Sequence, residues 1–99
     1  MPAYIIAWLT VKDPEKMDAY RADVSATVKK YGGSYVFSGR GVEALEGDWT
    51  AHGMTILEFP TQDDARRWYE SPEYAPLIAV REAAADGCLL LTPDADGAH

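Results

Sequence analysis

The sequence has very little of what disulfide-bonded and metal-binding proteins require. Its 99 residues include one cysteine, Cys88, and two histidines. A single cysteine cannot form an internal disulfide, which favours a reducing compartment. A zinc site needs about four clustered cysteine or histidine ligands, and neither a His-Glu-x-x-His motif nor a serine in a nucleophile elbow is present. We therefore expect no metal site and no catalytic triad.

Positive charge and long apolar segments are scarce as well. The chain has 9 basic and 16 acidic side chains and a formal net charge of −7, which repels the phosphates of nucleic acids and anionic membranes. No apolar run approaches the roughly 20 residues of a membrane-spanning helix, and residues 1–4 lack the basic start of a signal peptide. We expect a cytoplasmic protein with no nucleic-acid or membrane partner.

The composition is that of an ordinary globular protein. Hydrophobic residues make up 47% of the chain and charged residues 25%, which is enough apolar material for a packed core. A chain of this length fits one domain. We expect that domain to span residues 1–92 and the polar residues 93–99 to form a flexible tail.

The first strand is apolar on both faces. Residues 3–11 alternate in the way that a strand does, with Ala3, Ile5 and Ala7 on one side and Tyr4, Ile6 and Trp8 on the other. A sheet with one face in water would carry polar residues on that face. The sequence therefore predicts that both faces of this strand are covered.

Caps, breakers and periodicity predict the other elements. Asp13-Pro14 supplies an N-cap followed by proline at the first helical position, and Thr61 to Asp64 forms a capping box. Ser71-Pro72 interrupts the second helix, which restarts at Glu73. In chain order we predict a strand at 3–11, a helix at 14–31, a strand at 34–40 with a bend or bulge at Gly39 and Gly41, a strand at 54–59, a helix from 61 that Asp86-Gly87 ends, and a strand at 88–92.

This order of elements predicts an α+β, ferredoxin-like βαββαβ fold. Its helices pack on one face of a four-stranded antiparallel sheet. The other face would expose more apolar surface than a monomer tolerates. We therefore expect a homodimer whose sheets pair face to face, and we leave open whether the dimers assemble further.

Several motifs together resemble one uncharacterised family, domain of unknown function 1330. The segments that carry the resemblance are Tyr31-Gly32-Gly33, Leu45-Glu46-Gly47-Asp48-Trp49, Leu57-Glu58-Phe59-Pro60, Trp68 to Tyr74, Pro76-Leu77-Ile78 and Arg81. The resemblance implies membership of the dimeric α+β barrel superfamily, in which two sheets enclose a lumen. It implies no particular activity.

The wider superfamily includes cofactor-free oxygenases, small-molecule isomerases and haem proteins, but their sites do not carry over. The chain has no asparagine, so a site built on asparagine beside tryptophan, as in some of those oxygenases, is excluded. An axial haem ligand would have to be His52 in a loop or His99 in the tail. We expect no cofactor.

Glu58 is the candidate catalytic residue. It lies among apolar residues of the third predicted strand, where desolvation would let a carboxyl group act as acid or base. Alternatively, it is a strand-end glutamate that reaches water or pairs with an arginine. Arg81 occupies the inward side of the last helix and is the partner that we predict for Glu58, either in a structural ion pair or in a site.

The candidate ligand-binding residues are Arg40, Arg81, Tyr4, Trp8 and Tyr74. Arg40 stands between two glycines that leave room for a ligand, although a solvated arginine is the commoner reading. Tyr4 and Trp8 point to the face without helices, and Tyr74 is either a stacking residue or plain core.

The leading hypothesis is a homodimeric small-molecule-binding domain, extending to a cofactor-free enzyme in which Glu58 transfers protons on a small apolar or aromatic substrate. The alternative is a non-catalytic dimerisation or ligand-binding module with a packed sheet interface.

Overall fold

A computed structural model describes residues 2–48 and 53–94 of the protein. Over these residues the chain forms four strands and three helices: β1 (Ala3–Val11), α1 (Pro14–Lys30), β2 (Ser34–Arg40), β3 (Gly53–Phe59), α2 (Gln62–Tyr69), α3 (Ala75–Ala84) and β4 (Ala85–Leu91). The strands form one antiparallel sheet in the order β2-β3-β1-β4. The predicted ferredoxin-like α+β fold is confirmed. None of the helices in the described residues is long and apolar enough to cross a membrane.

Helix α1 begins and packs as its sequence predicts. The Asp13 carboxylate accepts a hydrogen bond from the Lys16 amide, and Pro14 occupies the first turn. Residues at helical spacing turn one side of the helix toward the sheet, where they are buried: Met17, Tyr20, Val24 and Val28. The hydroxyl group of Tyr20 is thus the polar group on an otherwise apolar buried side of α1.

Ser71 fixes the junction between α2 and α3. Its hydroxyl donates a 2.7 Å hydrogen bond to the carbonyl oxygen of Trp68 and accepts a 3.1 Å bond from the amide of Tyr74. The ring of Tyr74 then lies 4.1 Å, centroid to centroid, from that of Trp68, and both side chains are fully buried. The short break in the predicted second helix therefore positions Tyr74.

The predicted start of the last strand is wrong. Asp86-Gly87 was expected to end the preceding helix, but the helix ends at Ala84 and β4 begins at Ala85. Gly87 pairs with Leu9 inside the sheet. The Asp-Gly pair resembles a turn signal, but this glycine serves a close approach between two strands.

The bulge in β2 also lies elsewhere than predicted. The register shifts between Tyr35 and Phe37, not at Gly39 and Gly41. The extra residue at this shift reverses the alternation of the strand. Tyr35, Ser38 and Arg40 consequently face the same side of the sheet, the side that the helices cover, although their numbers differ in parity.

The two sides of the sheet differ in burial. On β1, the side chains of Ala3, Ile5 and Ala7 are buried under the helices, whereas Tyr4 and Trp8 on the other side are only partly buried. The strand register extends this second side across the sheet. We call it the open face, and it comprises Tyr4, Ile6, Trp8, Phe37, Ile56, Glu58 and Leu90.

The end of the described chain contacts the domain. The carboxylate of Asp94 accepts a 2.6 Å hydrogen bond from the amide of Gln62, and Thr92 exchanges two 2.9 Å bonds with the backbone of Tyr4. The rest of the predicted tail, residues 95–99, lies outside the described residues. So do Trp49 and His52.

Glu73 gives the fold a testable dependence on pH. Tyr31 donates a 2.7 Å hydrogen bond to its carboxylate and Lys30 pairs with it; the bond from Lys30, followed by that from Tyr31, lowers the pKa of Glu73 from an ordinary 4.5 to about 2. A carboxyl group whose folded-state pKa is depressed stabilises the fold above its unfolded pKa, and this contribution is lost as the pH falls toward about 2.

We expect Glu73→Gln to be slightly less stable than the wild type at pH 7 and equally stable near pH 2, because exposed ion pairs contribute little. Urea unfolding at several pH values measures the difference. Glu70→Gln is the same change at an exposed residue with no ion pair in the described chain. Its difference in stability from the wild type should not decrease as the pH falls. A difference for Glu73→Gln that stays constant with pH would contradict the assignment.

Candidate functional site

A large cleft lies between α1 and the helix-covered side of the sheet. Its volume is about 1160 Å³. The floor consists of apolar side chains from β1 and β3, and α1 forms the opposite wall. The floor and wall residues include Ile5, Ala7, Leu9, Leu57, Met17 and Val24. The cleft can therefore hold an apolar molecule of considerable size.

A polar cluster stands at the inner wall of this cleft. The guanidinium Nη1 of Arg81 donates a 3.0 Å hydrogen bond to the hydroxyl of Tyr74, which lies 2.8 Å from the hydroxyl of Tyr20. Tyr74 is fully buried, Tyr20 is nearly so, and Arg81 is partly exposed. Tyr20 and Arg81 line the cleft, while Tyr74 lies behind them.

The two hydroxyl groups of this cluster stay protonated. Burial, followed by the neighbouring Tyr74, raises the pKa of Tyr20 far above its ordinary value of 10. Burial also raises the pKa of Tyr74, although Tyr20 and Arg81 oppose the shift. Both tyrosines are thus neutral hydrogen-bonding groups at physiological pH.

The edge of the sheet supplies further polar groups. The hydroxyl oxygens of Ser38 and Thr55 lie 3.1 Å apart on adjacent strands, and both residues line the cleft together with Tyr35 and Arg40. Arg40 is exposed. The cleft thus runs from an apolar floor to a polar edge.

The charged side chains that line the cleft are all arginines in the part of the chain that the structure describes. The lining of the cleft, as far as the described residues form it, contains Arg21, Arg40 and Arg81 but neither aspartate nor glutamate, although acidic residues outnumber basic ones in the whole chain. Arg21 pairs with Asp18 at 3.6 Å, whereas Arg40 and Arg81 make no ion pair within the described residues. The cleft is therefore a locally positive site in an acidic protein.

The structure divides the predicted site residues between the two sides of the sheet. Arg40 and Arg81 line the cleft, and Tyr74 supports it from behind. Tyr4 and Glu58, directly opposite each other on β1 and β3, lie on the open face, as does Trp8. The six residues consequently do not form one site within a single chain.

The predicted pairing of Arg81 with Glu58 is wrong. Leu57 faces the helices, so its neighbour Glu58 faces away from them, and the sheet separates the two charges. Glu58 instead interacts with Tyr4, and this hydrogen bond raises the pKa of the Tyr4 hydroxyl above its ordinary value of 10. The acid–base role of Glu58 stays a prediction, and it concerns the open face.

Of the polar cluster, the sequence analysis named Arg81 and Tyr74 but not Tyr20. Tyr20 recurs with Met17 and Val24 at the helical spacing of core residues, and hydroxyl pairing leaves no trace in such a pattern. Ser38 and Thr55 gave no signal at all, because their pairing depends on the register of β2.

A group of three or more metal-binding side chains is absent from the described residues.

The fold is shared with several solved structures of low sequence identity. A protein of unknown function from Rhodopseudomonas palustris superposes with a TM-score of 0.79 at 20% identity, covering 96% of this chain and 83% of that one. SnoaB, a cofactor-independent oxygenase from Streptomyces nogalater, gives 0.69 at 18% identity, with 96% and 94% covered. A ferredoxin-like protein of the dabb (dimeric α+β barrel) family from Mesorhizobium loti gives 0.69 at 12% identity, with 95% and 97% covered. At these identities the similarity shows the fold alone.

Comparison with curated proteins gives no match. The family model described as "Domain of unknown function (DUF1330)" matches residues 2–94, which include every segment that carried the resemblance in the sequence. The chain belongs to the DUF1330 family.

Proposed function

We propose that the protein is a homodimeric small-molecule-binding protein of the cytoplasm whose ligand site is the cleft between α1 and the sheet. The observation that carries the proposal is the cleft itself, which combines an apolar floor with a small number of convergent polar groups. Its volume of about 1160 Å³ is of the order of known ligand pockets. Apolar walls bind the body of a ligand, and the polar groups orient it.

The open face supports the homodimer. One row of apolar side chains crosses all four strands in register: Phe37, Ile56, Ile6 and Leu90. Phe37 and Leu90 are 42% and 45% exposed, and no helix of the described chain covers this face. The molecule measures 38 × 37 × 15 Å, so its broad face can supply the roughly 800 Å² per partner of a standard interface.

Enzyme activity is a separate proposal that rests on Glu58. In a face-to-face dimer, Glu58 and Tyr4 would lie in the space between the two sheets, away from the cleft. A carboxylate hydrogen-bonded to a tyrosine hydroxyl there can exchange protons with a substrate. We expect Glu58→Gln to remove any turnover while the fold is retained, as circular dichroism would measure; turnover that survives the change contradicts the role.

A bulky side chain at the edge of the cleft tests the ligand site. Ser38 is exposed and lines the cleft, so Ser38→Trp should occupy the cleft without disturbing the core. We expect saturation-transfer NMR with a library of apolar and aromatic fragments to detect binding to the wild type, and we expect Ser38→Trp to lose most of it.

Ala22→Trp is the matched control, because Ala22 is exposed on α1 and does not line the cleft. This variant should bind the same fragments as the wild type. A Ser38→Trp protein that keeps the whole set of ligands would contradict the assignment of the cleft.

A further inference from the structure

The polar cluster of the cleft has more hydrogen-bond donors than acceptors. Arg81 has several N–H donors and no acceptor, and it donates one bond within the cluster, to Tyr74. One of the two tyrosine hydroxyl protons serves the bond between Tyr20 and Tyr74. When Tyr74 donates to Tyr20, which continues the donation from Arg81 to Tyr74, the hydroxyl proton of Tyr20 has no acceptor in the described chain. The cluster therefore lacks an acceptor, and its free donors border the cleft.

The positive charge of Arg81 likewise has no carboxylate partner within the described residues. A half-buried guanidinium without a carboxylate partner is costly unless something else neutralises it. None of the described residues that line the cleft carries a carboxylate, and Glu58 is on the other side of the sheet. The missing acceptor and the missing negative charge would both be supplied by one anionic group.

We propose that the cleft binds a small carboxylic acid with an apolar or aromatic body, an inference that rests on the proposed ligand-binding function. The carboxylate accepts hydrogen bonds from Arg81 and Tyr20, and the body of the ligand lies on Ile5, Ala7 and Leu57. The planar guanidinium presents parallel donors that match the two oxygens of a carboxylate. Tyr74 acts as a positioning residue, since it holds Arg81 and Tyr20 in place from behind.

The test compares two ligands that share their rings and differ in charge, 2-naphthoate and 2-naphthamide. Isothermal titration at pH 7 measures the affinity of each for the wild-type protein. A hydrogen-bonded charge pair predicts that the acid binds about tenfold or more tightly than the amide. This comparison requires no variant.

Two variants then locate the source of the preference. Arg81→Met keeps much of the side-chain volume and removes the charge, so it should abolish the preference for the acid and leave the affinity for the amide nearly unchanged. Tyr20→Phe keeps the ring and removes one donor, so it should reduce the preference by a smaller factor. Arg66→Met removes the same charge from an exposed position of α2 outside the cleft and should bind both ligands as the wild type does.

The outcomes separate this inference from the function on which it rests. Equal binding of acid and amide, or a preference that survives both Arg81→Met and Tyr20→Phe, overturns the carboxylate assignment while the ligand-binding cleft stands. A preference that Arg66→Met removes as fully as Arg81→Met overturns it too, because the effect is then one of net charge. A protein that binds neither compound overturns both proposals for aromatic ligands.

Discussion

Replacing Gly87 with alanine is expected to remove most of the stability of the protein. Gly87 lies in β4 directly beside β1, and a methyl group on its Cα would overlap the carbonyl oxygen of Trp8 and lie 3.0 Å from the Cα of Leu9. These are backbone atoms, which cannot turn aside as a flexible side chain can. Relief requires β4 to move away from β1, at the expense of ladder hydrogen bonds along one edge of the sheet.

We expect a loss of about 3 kcal/mol or more in the free energy of unfolding. This is a large part of the total stability of a small domain, and it corresponds to a fall in Tm of more than about 10 °C. Thermal and urea unfolding followed by circular dichroism measure it.

Gly53→Ala is the matched control, since Gly53 also pairs within the sheet. An added Cβ there would meet no atom of the described residues closer than 3.5 Å. That variant should be within about 0.5 kcal/mol of the wild type. A Gly87→Ala protein that is as stable as Gly53→Ala would contradict the close approach of β4 and β1.

Much of the fold could be predicted because its signals are local. The cap at Asp13, the breaker at Pro72 and the alternation of β1 each depend on a few neighbouring residues, and they set the elements and their order. The predicted boundary at Gly87 was wrong because the structure there depends on a contact between residues that are far apart in sequence. An Asp-Gly pair indicates a turn unless another strand lies close to the glycine, and that strand is about 80 residues away in sequence.

The candidate site was less predictable because it depends on register. Strict alternation would place Arg40 and Tyr35 on opposite sides of β2, and the bulge at Val36 brings them to the same side. The hydrogen bonds that join Arg81 to Tyr74 and Tyr74 to Tyr20 depend on how α1 and α3 meet. Arg81 was recognised as unusual from its inward position, but the sequence could not show that the sheet separates it from Glu58.

Replacing Ile6 with lysine is expected to convert the proposed homodimer into a monomer. Ile6 lies near the middle of the open face, paired with Ile56 on one side and Leu90 on the other. In a symmetric face-to-face dimer the substitution acts twice and buries two like charges between the sheets. Each unpaired buried charge costs several kcal/mol, so the dissociation constant should rise by about a thousandfold or more.

Native mass spectrometry and size-exclusion chromatography with light scattering measure the mass of each variant. The Ile6→Lys monomer should remain folded, because Ile6 is only partly buried in the single chain and a lysine can extend its charge into water. Ala22→Lys, the same charge added on the exposed side of α1, should stay dimeric. A monomeric wild type would refute the dimer itself, whereas a dimeric Ile6→Lys would place the interface on another surface and leave the open face without its proposed partner.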